Sequence, residues 1–153
     1  MADLRPADDN SIPPGERLYV RIFPAPDSVK PAEGSGQRPH TGSIKGRNPN
    51  EPMSVDLGSL CTPEQTRDRG MNGNFHVAML TAEAVRQLGF WIVRDPILDA
   101  AVPNPAHALI LGSRCNSDGD LEGALTGGEY SKLAHIARII IFTAQPQEPE
   151  AGS

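Results

Sequence analysis

Proline and glycine interrupt this chain so often that no element can run long. Fifteen of each are present, gathered mostly in the connections and at the ends. A chain punctuated in this way folds as short strands and helices joined by defined turns, not as a bundle of long helices. The 153 residues leave room for one core. Residues 1–16 (MADLRPADDNSIPPGE) and 144–153 (AQPQEPEAGS) are polar and proline-rich. Neither stretch can bury enough apolar surface to offset the entropy of ordering it, so both read as mobile tails around a single domain at 17–143.

Within that domain the apolar pattern marks the elements. RLYVRIF (Arg17–Phe23) alternates, with Leu18, Val20 and Ile22 on one face, and Pro24 ends it. PMSVDL (Pro52–Leu57) alternates likewise, with Met53, Val55 and Leu57 inward and Ser54 and Asp56 outward. Thr62, Pro63 and Gln65 form a capping-box start for a short helix that Gly70 can stop. FHVAML (Phe75–Leu80) is apolar on both faces and belongs inside a sheet. Thr81 caps the next helix and Gly89 ends it. FWIVR (Phe90–Arg94) and HALILG (His107–Gly112) are further strands. Tyr130, Leu133, Ala134 and Ala137 share one face of a third helix, and RIIIF (Arg138–Phe142) closes the domain as a buried strand. The order β-β-α-β-α-β-β-α-β lacks strict alternation. It predicts an α+β domain with a mixed sheet of about five or six strands and three short helices.

The connection at 24–51 shows no regular element, and loops of such length tend to be functional or disordered. Its second half is basic. Arg38, His40, Lys45 and Arg47 are interleaved with Gly42 and Gly46, and no carboxylate falls among them. Guanidinium forks and glycine N–H groups suit a phosphate or a carboxylate. The order Gly-Lys-Ser/Thr of a P-loop is missing. The alternative is a solvated loop that offsets an acidic chain, whose net charge is −5. That charge disfavours nucleic acid without excluding it. No apolar run reaches the ~18–20 residues of a membrane span, and no secretory signal pattern opens the chain. Cys61 and Cys115 form neither a disulfide framework nor a metal pattern and read as reduced thiols. The expected location is cytoplasmic, with no membrane partner.

No reaction is fixed by a motif. His40, His76, His107 and His135 have no metal-ligand spacing, so no metal site is expected. Asn116, Asp118, Asp120 and Glu122 alternate as in a calcium loop. An EF-hand, however, needs Gly and Glu where Leu121 and Gly127 stand, so a polar turn is expected there. His107, at the mouth of a central strand, is the first residue to test for acid–base work, with Ser54 and His40 beside it as candidates and Arg21 or Arg38 to hold phosphate. Which cofactor, if any, the protein uses is left open by the sequence.

Several segments carry a resemblance. PMSV (52–55), residues 75–96, PAHALILG (105–112) and ARIIIF are similar to a set of small, uncharacterised bacterial single-domain proteins. In these a Ser-Ala-Phe-Lys-like stretch precedes Ser-Val, matched here by Gly42-Ser43-Ile44-Lys45. That resemblance implies a stand-alone bacterial domain and brings no activity. Arg21, Ser54 and Glu122 or Glu129, in that order, resemble ADP-ribosyltransferase-type domains, without their Ser-x-Ser or Glu-x-Glu. Three readings follow. The leading one is an accessory domain that binds an anionic small molecule or a protein partner through residues 24–51. Its rivals are a small enzyme or toxin acting on a nucleotide or RNA (ADP-ribosyltransferase-like or RNase-like) and a structural subunit of an assembly.

Overall fold

The computed structural model of the protein describes residues 8–24, 27–32, 34, 36–44, 52–69, 75–115 and 121–143. All six strands expected from the apolar pattern form one sheet. They are β1 (Arg17–Ile22), β4 (Met53–Leu57), β5 (His76–Thr81), β6 (Trp91–Arg94), β7 (His107–Cys115) and β9 (Arg138–Ile141). Their spatial order is β6-β7-β4-β1-β5-β9, and β8 (Leu121–Gly123) pairs on β7. The domain is α+β, with helices α2 (Pro63–Asp68), α3 (Ala82–Gln87) and α4 (Gly127–Ile136).

The sheet is not mixed in direction: every pairing is antiparallel. The topology separates the strands that run the same way. β1 is inserted between β4 and β5, and β7 between β6 and β4.

One face of the sheet carries the main core. Leu18, Val20 and Ile22 of β1 meet Met53, Val55 and Leu57 of β4, with Ala78, Leu80, Ile92, Ala108 and Ile110 from the other strands. Val85 of α3 and Tyr130, Leu133 and Ala134 of α4 close over them. The expected helix starts are present. Thr62 and Gln65 make a reciprocal capping box, and Thr81 accepts the Ala84 N–H. Thr126 and Glu129 form a second box on α4. Each cap is worth about 1 kcal/mol. Gly89, at φ 92°, ends α3 in a conformation that a side chain would strain. A smaller cluster of Tyr19, Cys61, Val77 and Ala106 lies apart from the main core. Strand alternation puts Tyr19 and Val77 on the opposite face.

Four expectations are corrected. Residues 8–16 are not a tail: Ile12 is 1% exposed within the main core, and Glu16 is buried. One aliphatic anchor with backbone bonds to β6 and α3 suffices to order an otherwise polar segment; residues 1–7 and 144–153 lie outside the described residues. The 24–51 connection contains a two-stranded ribbon, β2 (Val29–Pro31) with β3 (Gln37–Pro39), and a helical turn, α1 (Thr41–Ile44). The polar stretch after Gly112 prolongs β7 to Cys115 and turns back as β8. β9 is an edge strand with one neighbour, so it is only half covered: Ile140 is 40% exposed, and Phe142 beyond it 58%.

Candidate functional site

The basic half of the long connection is organised around the β2–β3 ribbon. Its register sets Val29 opposite Pro39, Lys30 opposite Arg38, and Pro31 opposite Gln37. The backbone bonds from His40 N to Ser28 O (2.8 Å) and from Ala32 N to Gly36 O (3.0 Å) flank this register. They mark alternate rungs, so both prolines fall where an antiparallel ladder needs no N–H. Two prolines thus cost the ribbon nothing, a tolerance that the sequence pattern alone did not reveal. Gly34 and Gly36 (φ 86° and 82°) supply the tip. The base is clamped: Ser43 Oγ lies 2.9 Å from Ser28 O and 2.7 Å from His40 O, its one proton serving either. Pro39 is fully buried, and Ile44 of α1 joins the main core.

This geometry puts two cations face to face. Lys30 and Arg38 are both half-buried on one side of the ribbon, and strand alternation carries His40 to that side. Arg38 Nη1 donates to the neighbouring Pro39 carbonyl at 3.2 Å. Among the described residues no carboxylate reaches either cation. Like charges directly opposite one another destabilise a strand pair. Lys30 was not singled out from the sequence; only the register shows that it faces Arg38. Lys45 and Arg47 lie outside the described residues.

A second polar cluster holds His107. Asp56 is 3% exposed. Its carboxylate accepts from Thr66 Oγ1 at 2.7 Å, Arg69 Nη1 at 2.9 Å and Asn104 Nδ2 at 2.9 Å. Cys61 Sγ lies 3.5 Å from Thr66 Oγ1. His107 stands opposite Asp56 in the β4–β7 ladder, but its ring engages Asp95 instead. Nδ1 is 2.9 Å from Asp95 O and 3.1 Å from Asp95 Oδ2. Thr66, Arg69 and Asn104 gave no signal in the sequence, since nothing local says that an outward-facing aspartate will be covered by a helix and a loop. The satisfied carboxylate fastens α2 and the β6–β7 connection to the sheet.

The remaining candidates do not assemble. Ser54 is exposed, pairs with Leu109 and is itself a diagonal cross-strand neighbour of His107 at roughly 7–8 Å. His40 precedes α1, which packs on the main-core face, whereas Ser54 and His107 belong to the other. Arg21 lies on the Ser54 face by alternation, opposite Val77. Glu129 is engaged in the α4 capping box on the far side of the sheet, and the Glu122 side chain is outside the described set. His76 is buried, which pushes its pKa below the usual value. Its Nδ1 accepts the Thr143 N–H at 3.0 Å, and its ring stacks on Phe142. His135 is exposed, with Nδ1 2.8 Å from Ser131 O. Among the described residues no cluster of His, Cys, Asp and Glu could hold a metal, and no helix is long and apolar enough to cross a membrane.

The fold and the ribbon define an antiparallel α+β domain with a cationic hairpin attached beside its β9 edge. Comparison with models of protein families, with curated proteins and with solved structures finds no match.

Proposed function

We propose that the protein is an accessory binding domain and that the Lys30–Arg38 face of its β2–β3 ribbon takes an anionic group, carried by a small molecule or by an acidic stretch of a partner. The observation that carries this reading is the cross-strand opposition of two cations without a carboxylate among the described residues. A ribbon selected for stability alone would place opposite charges there. An anion between the two head groups would turn their repulsion into two charge-assisted hydrogen bonds, the Arg38 fork supplying direction. His40 shares that side of the ribbon, and Lys45 and Arg47 follow closely in sequence.

A nucleotide- or RNA-processing enzyme draws less support. Acid–base chemistry needs its groups within hydrogen-bond reach of one another or of a shared substrate atom, and His40 lies on the opposite face of the sheet from Ser54 and His107. The test is calorimetric titration with inorganic pyrophosphate and with a short poly-glutamate peptide. Wild-type protein should bind at least one of them with salt-sensitive affinity, and Lys30→Ala/Arg38→Ala should lose that binding while melting no lower than the wild type. Equal binding by the wild type and the double variant would remove the ribbon as the site.

A further inference from the structure

The far edge of the sheet is covered in cis by the segment Asp8–Ile12. The main-chain groups of Ile92 in β6 are both taken: Asp9 N donates to Ile92 O at 2.8 Å, and Ile92 N donates to Asp8 Oδ1 at 3.0 Å. The segment thus occupies the place of a further strand, with a carboxylate doing the work of a carbonyl. Arg86 of α3 holds it from above, donating to Ile12 O at 2.9 Å and Asp9 O at 3.0 Å and pairing with Asp8. Arg94 reaches Ser11 Oγ at 3.1 Å and lies 3.5 Å from Asp9 Oδ2. Ile12 fills an apolar socket in the main core.

We propose that this β6–α3 groove is a docking site for an extended acidic segment of a partner protein and that residues 8–12 close it until such a segment displaces them. The bound strap defines the chemistry of the occupant. Two bonds from Arg86 and one from Ile92 read main chain, which any extended peptide offers. Specificity comes from a carboxylate over Ile92 N, a second near Arg94, and a large aliphatic group a few residues later for the Ile12 socket. The strap is built to lift. Asn10, Ser11, Pro13, Pro14 and Gly15 are exposed, and Ile12 is its one buried apolar anchor. A turn at Pro13–Glu16 provides the hinge, with Glu16 N donating to Pro13 O at 3.0 Å. Segments with few buried apolar contacts open at the lowest free energies.

The experiment uses the full-length chain and a labelled peptide copying Asp8–Glu16, followed by fluorescence anisotropy and by the amide signal of Ile92. A closed strap lowers the apparent affinity by the fraction of open chains, so Ile12→Ser should bind the peptide about tenfold or more tighter than the wild type. A peptide with Asp8→Asn, Asp9→Asn and Ile12→Ser should not bind. If Ile12→Ser does not fold, the full-length Asp8→Asn/Asp9→Asn chain, which keeps the apolar anchor, replaces it. A folded strap-loosened chain that binds the peptide no better than the wild type overturns the proposal. Peptide docking in the groove must shift the Ile92 amide signal, whereas an acidic peptide held on the ribbon at the opposite edge of the sheet leaves that signal in place, which separates this result from that of the ribbon.

Discussion

Lys30→Glu tests the ribbon on stability and binding at once. Lys30 stands directly across from Arg38, and no other group among the described residues forms an ion pair with either. Two unit charges ~6–7 Å apart in a water-like dielectric repel by about 0.6 kcal/mol. Glutamate at position 30 reverses the sign, for a net gain of about 1 kcal/mol. This agrees with the upper range for exposed pairs. The Arg38 bond to Pro39 O is untouched. Substitutions at ordinary surface positions stay within about 0.5 kcal/mol, so the gain is resolvable. Urea unfolding should show a higher midpoint with an unchanged slope, and at 1 M salt, with a Debye length of about 3 Å, most of the gain should vanish. Anion binding should fall at least tenfold in the same variant. A variant that is destabilised, or one that gains stability while binding pyrophosphate as the wild type does, would refute the reasoning.

Three further outcomes follow from the geometry. Asp56→Ala strands the Thr66, Arg69 and Asn104 donors and should cost about 3–5 kcal/mol; a denaturation cycle with Asn104→Ala should show coupling above about 0.5 kcal/mol, and additivity would contradict the network. Burial lowers the pKa of His76 from the ordinary 6.5. The unfolded chain therefore takes up the proton first, and the stability present above pH 6.5 should drain away as pH falls toward the folded value. NMR titration should place the His76 midpoint below 6.5, and His76→Phe should flatten that part of the stability profile. A Cβ on Gly112 would lie 2.8 Å from Ala124 O, a backbone atom that cannot swing away, so Gly112→Ala should cost about 1–3 kcal/mol by thermal melting; an unchanged melting temperature would deny that close approach.

What the sequence disclosed, and what it hid, divides along physical lines. Local periodicity and cap chemistry act within a few residues. Leu18/Val20/Ile22, Met53/Val55/Leu57 and the Tyr130/Leu133/Ala134 face were therefore legible, as were the capping box at Thr62 and the helix start at Thr81. Strand direction and partners depend on contacts distant in sequence, so the purely antiparallel order was not visible. Arg38 and His40 stood out as local basic residues, but the cation that faces Arg38, Lys30, is identified only by the ribbon register. Asp56 looked like a solvent-facing alternate because its three donors come from α2, Arg69 and Asn104, all beyond the strand.

The two segments that looked least structured share a further property. Proline, glycine and isolated charges depress every propensity for a regular element, yet these residue types also suit the guarding of a sheet edge. Asp8–Ile12 lies on β6 and satisfies Ile92, while the β2–β3 ribbon lies beside β9 and α4, with Gly36 close to the Arg138 side chain. The strap takes the Ile92 main chain at one edge, whereas the ribbon lies beside the other edge as a separate two-stranded sheet. The strap is acidic and is clamped by Arg86 and Arg94; the ribbon carries opposed cations. Both proposed binding surfaces therefore lie at the edges of the sheet, and charge changes there should alter recognition far more than they alter the core.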